Sequence, residues 1–177
     1  ATLPLLRQTD FPAISRGALT TLQVNLGYRC NQSCLHCHVN AGPNRDEEMS
    51  ADPIELILEY CRTRSINTLD LTGGAPELHP LFRYLVQNVR ELGVHVIDRC
   101  NLTILNELDQ EDLHKFLAAQ QVEIIASLPC YQQENVDAQR GKGVYEKSLT
   151  AIRKLNAAGY GGADTGLVLN FVYNPAG

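Results

Sequence analysis

"NTLDLTGGAPELHPLFRYLVQNVRELGVHVIDRC", residues 67–100, carries the fold in one pass. "NTLDLT" alternates polar and apolar residues, the period of a strand. The pair Gly73 and Gly74 ends it. "HPLFRYLVQNVRELG" then spaces its apolar residues as a helix does, with Pro80 near the start and Gly93 as the stop. "VHVIDRC" reads as the next strand. Strand, helix and strand in immediate succession form a β-α-β unit, so the two strands run parallel and the helix crosses one face.

The same alternation extends both ways. Upstream, "TLQVNL" (21–26) reads as a strand, and "ADPIELILEYCRTR" (51–64) as a helix with Ser50 at the N-cap and Pro53 in its first turn. Downstream come a helix in "DQEDLHKFLAAQQ" (109–121) with Asp109 as cap and a strand in "VEIIASL" (122–128). A helix in "VYEKSLTAIRKLNAAG" (144–159), ended by Gly159, and a strand in "GLVLNFVY" (166–173) complete the series. The fold class is therefore α/β with a parallel sheet.

Side-chain alternation separates an open sheet from a curled one. Gln23 and Asn25 share one face of their strand; so do Thr68, Asp70 and Thr72, and so do Asn170 and Asn174. A parallel sheet covered on both sides has nearly continuous apolar strands. Here one face is repeatedly polar, which predicts a partial (βα) barrel whose polar face lines a ligand-holding interior. The chain stops at "NPAG", directly after the fifth strand. An uncovered parallel edge is a liability, so the expectation is a C-terminally incomplete core, five βα units of six. Residues 1–19 form a lead segment and 20–177 the core domain in this reading.

Composition excludes several classes. The 177 residues hold 15 Lys+Arg against 20 Asp+Glu, with no basic run suited to nucleic acid. No apolar run is long enough to span a bilayer, and "ATLPLLRQTDFPAISRG" lacks the pattern of a signal peptide. Cys30, Cys34 and Cys37 cluster, while Cys61, Cys100 and Cys130 are isolated, which is not the layout of a disulfide scaffold. A reducing, cytoplasmic setting is expected, with a small-molecule substrate, no nucleic acid and no membrane.

The cluster lies in "YRCNQSCLHCHVN" (28–40), spaced C-x3-C-x2-C. Thiolates suit zinc, copper(I) and iron–sulfur clusters. A structural zinc takes four ligands, commonly from two paired knuckles; His36 or His38 would have to complete such a site on this single loop. A 4Fe–4S cluster with one iron left to a non-protein ligand uses three cysteines as they stand, and is the more economical reading.

This loop after the first strand of a βα-repeat chain resembles the radical S-adenosylmethionine (SAM) superfamily. The resemblance implies a 4Fe–4S cluster on Cys30, Cys34 and Cys37, and SAM chelated at the open iron. It implies cleavage of SAM to a 5′-deoxyadenosyl radical, and a reductant protein such as flavodoxin or ferredoxin. "LTGGAPE" resembles the family's glycine-rich motif, so Gly73, Gly74 and Ala75 are implied to hold SAM through their backbone. Ser127 in "ASLPC" stands where the family often contacts the ribose and carboxylate. His36 takes the place of the usual aromatic residue before the third cysteine, and Ala75 that of the usual Glu, with Glu77 two places on. The wording of "LQVNLGYRCNQSCLHCHVNAGPNR", "LTGGAPEL", "VIDRCNLTIL", "ASLPCYQQENVDAQRGKGV" and "LVLNFVYNPAG" is similar to the arsenosugar-biosynthesis radical SAM proteins. That similarity implies transfer of the 5′-deoxyadenosyl group to dimethylated trivalent arsenic. It also implies a C-terminal region beyond residue 177; a fragment that binds the cluster weakly and is inactive without that region is one alternative. Another radical SAM enzyme, such as a peptide maturase, and a zinc-stabilised binding module are the alternatives.

Three further residues are candidates. Arg140, in "AQRGKG", offers a two-pronged match to a carboxylate or remains a solvated loop residue. Cys100 and Cys130 follow the third and fourth strands, at the end where βα barrels gather their chemistry. Trivalent arsenic is thiophilic, so both are candidate catalytic thiols; the plainer reading is small buried residues. Cys61 reads as core, His79 and His95 as structural, and His114 as a helix-surface residue.

Overall fold

The computed structural model describes residues 2–12, 14–35 and 37–173. Five strands, β1 (Thr21–Asn25), β2 (Thr68–Thr72), β3 (His95–Asp98), β4 (Glu123–Ser127) and β5 (Leu169–Val172), form one sheet. Their spatial order is their chain order, and every neighbouring pair is parallel. The helices are α1 (Leu3–Leu6), α2 (Ala51–Thr63), α3 (Phe82–Glu91), α4 (Leu113–Ala119), α5 (Gln133–Arg140) and α6 (Val144–Ala157). Each crossover advances the sheet by one strand in the same sense, which curls it into part of a barrel.

The two faces differ as the alternation predicts. Leu69, Leu71, Val96 and Ile124 point to the helix side and are fully buried, as are Phe82, Leu85, Val86 and Val89 of α3. Each such side chain contributes about 1.5–3 kcal/mol by leaving water. The opposite face is polar and internally bonded. Gln23 Nε2 donates to Asp70 Oδ2 at 2.9 Å, and Arg99 donates to both Asp70 oxygens at 2.8 Å. Nearer the strand starts, His95 Nε2 lies 2.8 Å from Glu123 Oε2, and Asn170 Nδ2 donates to Glu123 Oε1 at 2.9 Å. Asn174 lies outside the described residues.

Several boundaries move for identifiable reasons. α3 starts at Phe82 because Pro76–Leu78 forms a 3-10 turn first. The His79 ring then joins two segments: Nε2 is 2.8 Å from the Met49 carbonyl, and Nδ1 accepts the Leu81 N–H. At α4 the cap position is Asp112 rather than Asp109, and its carboxylate is paired with Arg83 at 2.6 Å. β5 starts at Leu169, since Gly166 adopts a positive φ of 70° and keeps the preceding residues in a turn. α5 has no counterpart in the sequence reading: it buries only Val136 and Arg140, too little for an apolar stripe. Cys61 is buried in the core, and all six cysteines are free thiols. Among the described residues no helix is long and apolar enough to cross a membrane.

Candidate cofactor site

The loop after β1 doubles back on itself. Tyr28 N–H donates to the Glu47 carbonyl, and Cys30 and Gly42 are tied through Cys30 N–H to Gly42 O at 3.1 Å and Gly42 N–H to Tyr28 O at 3.0 Å. Within the enclosed segment Cys37 N–H bonds to Cys34 O, and Ala41 N–H points at Cys37 Sγ from 3.2 Å. These bonds gather the three thiols at the C-terminal end of the sheet, where they open on one cavity of about 290 Å³. Cys30 is buried, while Cys34 and Cys37 are half-buried. His38 lines the cavity too; His36 lies outside the described residues. Burial pushes the Cys30 and Cys34 thiols up, and the Arg140 charge opposes that rise at Cys34.

The turn after β2 is welded to this loop. Gly74 N–H donates to Gly27 O and Ala75 N–H to Arg29 O, both at 2.9 Å. Gly73 has a φ of +137°, and a Cβ there would lie 2.5 Å from Gly27 O. A Cβ on Gly74 would collide with the Arg29 carbonyl. Glycine is required at both positions because two backbones meet there. The N–H groups of Gly74 and Ala75 are spent on the loop, whereas the carbonyls of Gly73 and Gly74 accept no hydrogen bond among the described residues. Such a turn offers acceptors to a cationic donor such as an ammonium group.

Arg140 and Ser127 reach the same cavity. Arg140, at the end of α5, is 8% exposed and donates to Gln32 Oε1 at 2.9 and 3.2 Å, to the Ser127 carbonyl at 3.1 Å and to Asn101 Oδ1 at 3.2 Å. It is a caged, buried cation rather than a solvated loop residue. Cys30, Cys34, Cys37, Gly73, Gly74, Ser127 and Arg140 thus share one location, with Ala75 buried immediately behind it.

Cys100 and Cys130 are not brought together. Cys100 is fully buried on the helix side, in a cluster with the buried carboxyls of Glu77 and Asp98. That burial, and the two acids, push its thiol well up. Cys130 belongs to a separate small cluster with Val136 and Val144. The Gln132 N–H at 3.4 Å and the Asn135 amide at 3.5 Å face its sulfur and pull its thiol down.

Residues absent from the sequence reading also belong here. Arg99 lines the cavity, and the period-2 rule that grouped Asp70 with the interior would have found it on the same face. Asn101 and Gln32 have no spacing signature; only the fold brings them to the loop.

The donor set fits an iron–sulfur cluster: three free thiols on one short loop, opening on a cavity, beside a buried cation and unused carbonyls. The Radical SAM superfamily matches residues 24–173. The mycofactocin maturase MftC of Mycobacterium tuberculosis is 27% identical over 144 residues, covering 81% of this chain and 36% of that protein. A probable GTP 3′,8-cyclase of Saccharolobus solfataricus is 26% identical over 159 residues, covering 88% of this chain and 48% of that one. Among solved structures, Streptococcus suis SuiB bound to S-adenosylmethionine superposes with a TM-score of 0.66 at 16% identity, over 80% of this chain and 32% of its own. Methylornithine synthase (PylB) superposes with a TM-score of 0.60 at 15% identity, over 89% of this chain and 54% of its own. The chain therefore spans less than half the length of these two sequence relatives. With the match running through β1 to β5 and across both the cysteine loop and the glycine turn, the chain belongs to the radical SAM superfamily, whose members use a 4Fe–4S cluster and S-adenosylmethionine.

Proposed function

We propose that this chain is the core of a radical SAM enzyme, with residues 20–177 as the core domain and 1–19 as a lead segment. The observation that carries the reading is the convergence of Cys30, Cys34 and Cys37 on the cavity shared by Gly73, Gly74 and Arg140. When bound, the cluster and S-adenosylmethionine supply one-electron cleavage to a 5′-deoxyadenosyl radical. The chain's own residues do the rest. The three thiols anchor the metal, and the Gly73 and Gly74 carbonyls receive the ammonium of the methionyl group. Arg140 faces its carboxylate, Ser127 lies beside the ribose, and the Ile125 side chain lines an apolar wall. Anaerobic reconstitution with iron and sulfide tests this reading: the protein turns brown, bleaches with dithionite and releases 5′-deoxyadenosine from S-adenosylmethionine. A colourless protein holding one zinc overturns it.

The finer reading is transfer of the 5′-deoxyadenosyl group to dimethylated trivalent arsenic. Its support is the similarity of the motif wording to the arsenosugar-biosynthesis proteins, together with the thiol of Cys130; Cys100, fully buried on the helix side, adds none. Cys130 is the thiol whose setting favours the thiolate that a thiophilic arsenic would meet. Cys130→Ala should abolish consumption of dimethylarsenite and leave the cluster in place, and Cys100→Ala is the companion variant. Full activity in both would sink the thiol assignment. A peptide-maturase reading is favoured by the 27% identity to a mycofactocin maturase. Cleavage of S-adenosylmethionine stimulated by a precursor peptide and not by dimethylarsenite would decide for it.

A further inference from the structure

Arg140 is a buried cation without an anion. Among the described residues no carboxylate lies within ion-pair distance of it; its partners are the neutral oxygens of Gln32, Ser127 and Asn101. A charge held in the interior is costly unless something of opposite sign compensates it. The acidic groups nearby do not touch it: Asp70 is committed to Arg99 and Gln23, and Asp98 and Glu77 lie on the helix side. Before S-adenosylmethionine binds, the anions left to face it are the thiolates of the cysteine loop.

Asn101 connects the two. It is 5% exposed and sits just past β3. Its Oδ1 accepts from Arg140 Nη2 at 3.2 Å and from Thr103 Oγ1 at 3.2 Å. An arginine can only donate, so the carboxamide oxygen must face Arg140 and the NH2 must face the other way. On that side lie the Asn31 carboxamide oxygen and Cys30 Sγ, the sulfur 3.7 Å from Asn101 Nδ2. Gln32 is oriented the other way at the second thiol: its Oε1 takes two Arg140 N–H groups and accepts from the Cys34 S–H at 3.6 Å, so it directs no donor at that sulfur. One buried guanidinium is thereby linked through the Asn101 amide to the Cys30 sulfur, and its charge also acts on Cys34.

From this geometry we propose that Arg140 and Asn101 together set the reduction potential of the cluster held by Cys30, Cys34 and Cys37, raising it so that the cluster accepts its electron more readily. The inference rests on the cluster reading above. Adding an electron adds negative charge in a weakly screened site. A fixed cation and an N–H directed at sulfur stabilise that added charge, and both are recognised levers on iron–sulfur potentials. Asn101 and Arg140 act through the thiolates and are positioning residues in this role.

The test is a redox titration of the anaerobically reconstituted protein, followed by electron paramagnetic resonance in the absence of S-adenosylmethionine. Arg140→Gln and Asn101→Ala should each move the midpoint to more negative potential. Asn101→Asp, which sets a carboxylate beside Cys30, should move it furthest. Arg140→Lys keeps the charge and should stay near wild type. Iron and sulfide content are measured on each variant. If Arg140→Gln takes up no iron, the two Asn101 variants carry the comparison. Loaded variants that share the wild-type midpoint, or that shift upward, overturn the inference. A wild-type protein that takes up no iron overturns the cluster reading instead, a result distinct from a loaded protein with an unmoved midpoint.

Discussion

Asp98 and Arg99 are consecutive residues at one end of β3, yet they obey opposite electrostatic rules. Arg99 points into the open interior, where Asp70 meets it with two oxygens and Gln23 holds the same carboxylate from the far side. Asp98 points to the helix side, is fully buried, and finds no hydrogen-bond donor for either oxygen. Glu77 is in the same condition beside it, with Cys100 completing a cluster whose ligand atoms lie within 4.8 Å of one another. Polarity on the interior face is balanced by partners of opposite sign. On the helix side it is tolerated by staying uncharged: burial first, then the neighbouring acid, pushes the Asp98 carboxyl well above its ordinary range.

The comparison breaks most visibly on β4, where Ile124 and Ile125 are neighbours on the two faces. Ile124 is fully buried, so Ile124→Ala should cost about 2–5 kcal/mol. Ile125 lines the cavity and is half-buried, so Ile125→Ala should cost about 1 kcal/mol. Urea denaturation of the two variants measures the gap, and equal losses would mean that the interior face is packed like the core. Next in size is Asp70→Asn, which removes the paired acceptor from Arg99. A loss of about 1–2 kcal/mol is expected, at the lower end for charged hydrogen bonds because Arg99 is itself partly exposed.

The smallest effect at acid pH is that of Asp98→Asn, and it grows with pH. A carboxyl raised in the folded state binds its proton more tightly there than in the unfolded chain. Its stabilising contribution is complete below the unfolded value of about 4 and is lost as pH rises towards the folded value. The carboxamide introduced by the substitution stays neutral throughout and escapes that loss. The variant should match wild type near pH 4 and become progressively the more stable of the two above it. Thermal melts across pH check this, and a variant destabilised at every pH would show that Asp98 is ionised and paired.

These faces also explain what could be read from the sequence. The βα order was legible because apolar spacing switches cleanly between strand and helix periods, and the polar interior because Gln23, Asp70 and Thr72 fall on alternate positions. The cysteine loop was legible because all its thiols are local. α5 was not, since its role is to deliver Arg140 rather than to bury an apolar face. Asp98 and Glu77 look like surface residues in a string of letters; only packing reveals two acids in a core. Asn101 is likewise invisible until β3 and the cysteine loop are brought side by side.

The contact between the glycine turn and the cysteine loop has a consequence for protein engineering. Gly73 and Gly74 leave no room for a side chain against Gly27 and Arg29, and their neighbours are stitched across by backbone hydrogen bonds. The cysteine loop is therefore not a portable cassette. Grafted alone onto another sheet it would lose the surface that fixes its entrance, whatever its cysteine spacing. A working transplant would have to carry the turn after β2 as well, so the module is one object encoded in two separated stretches.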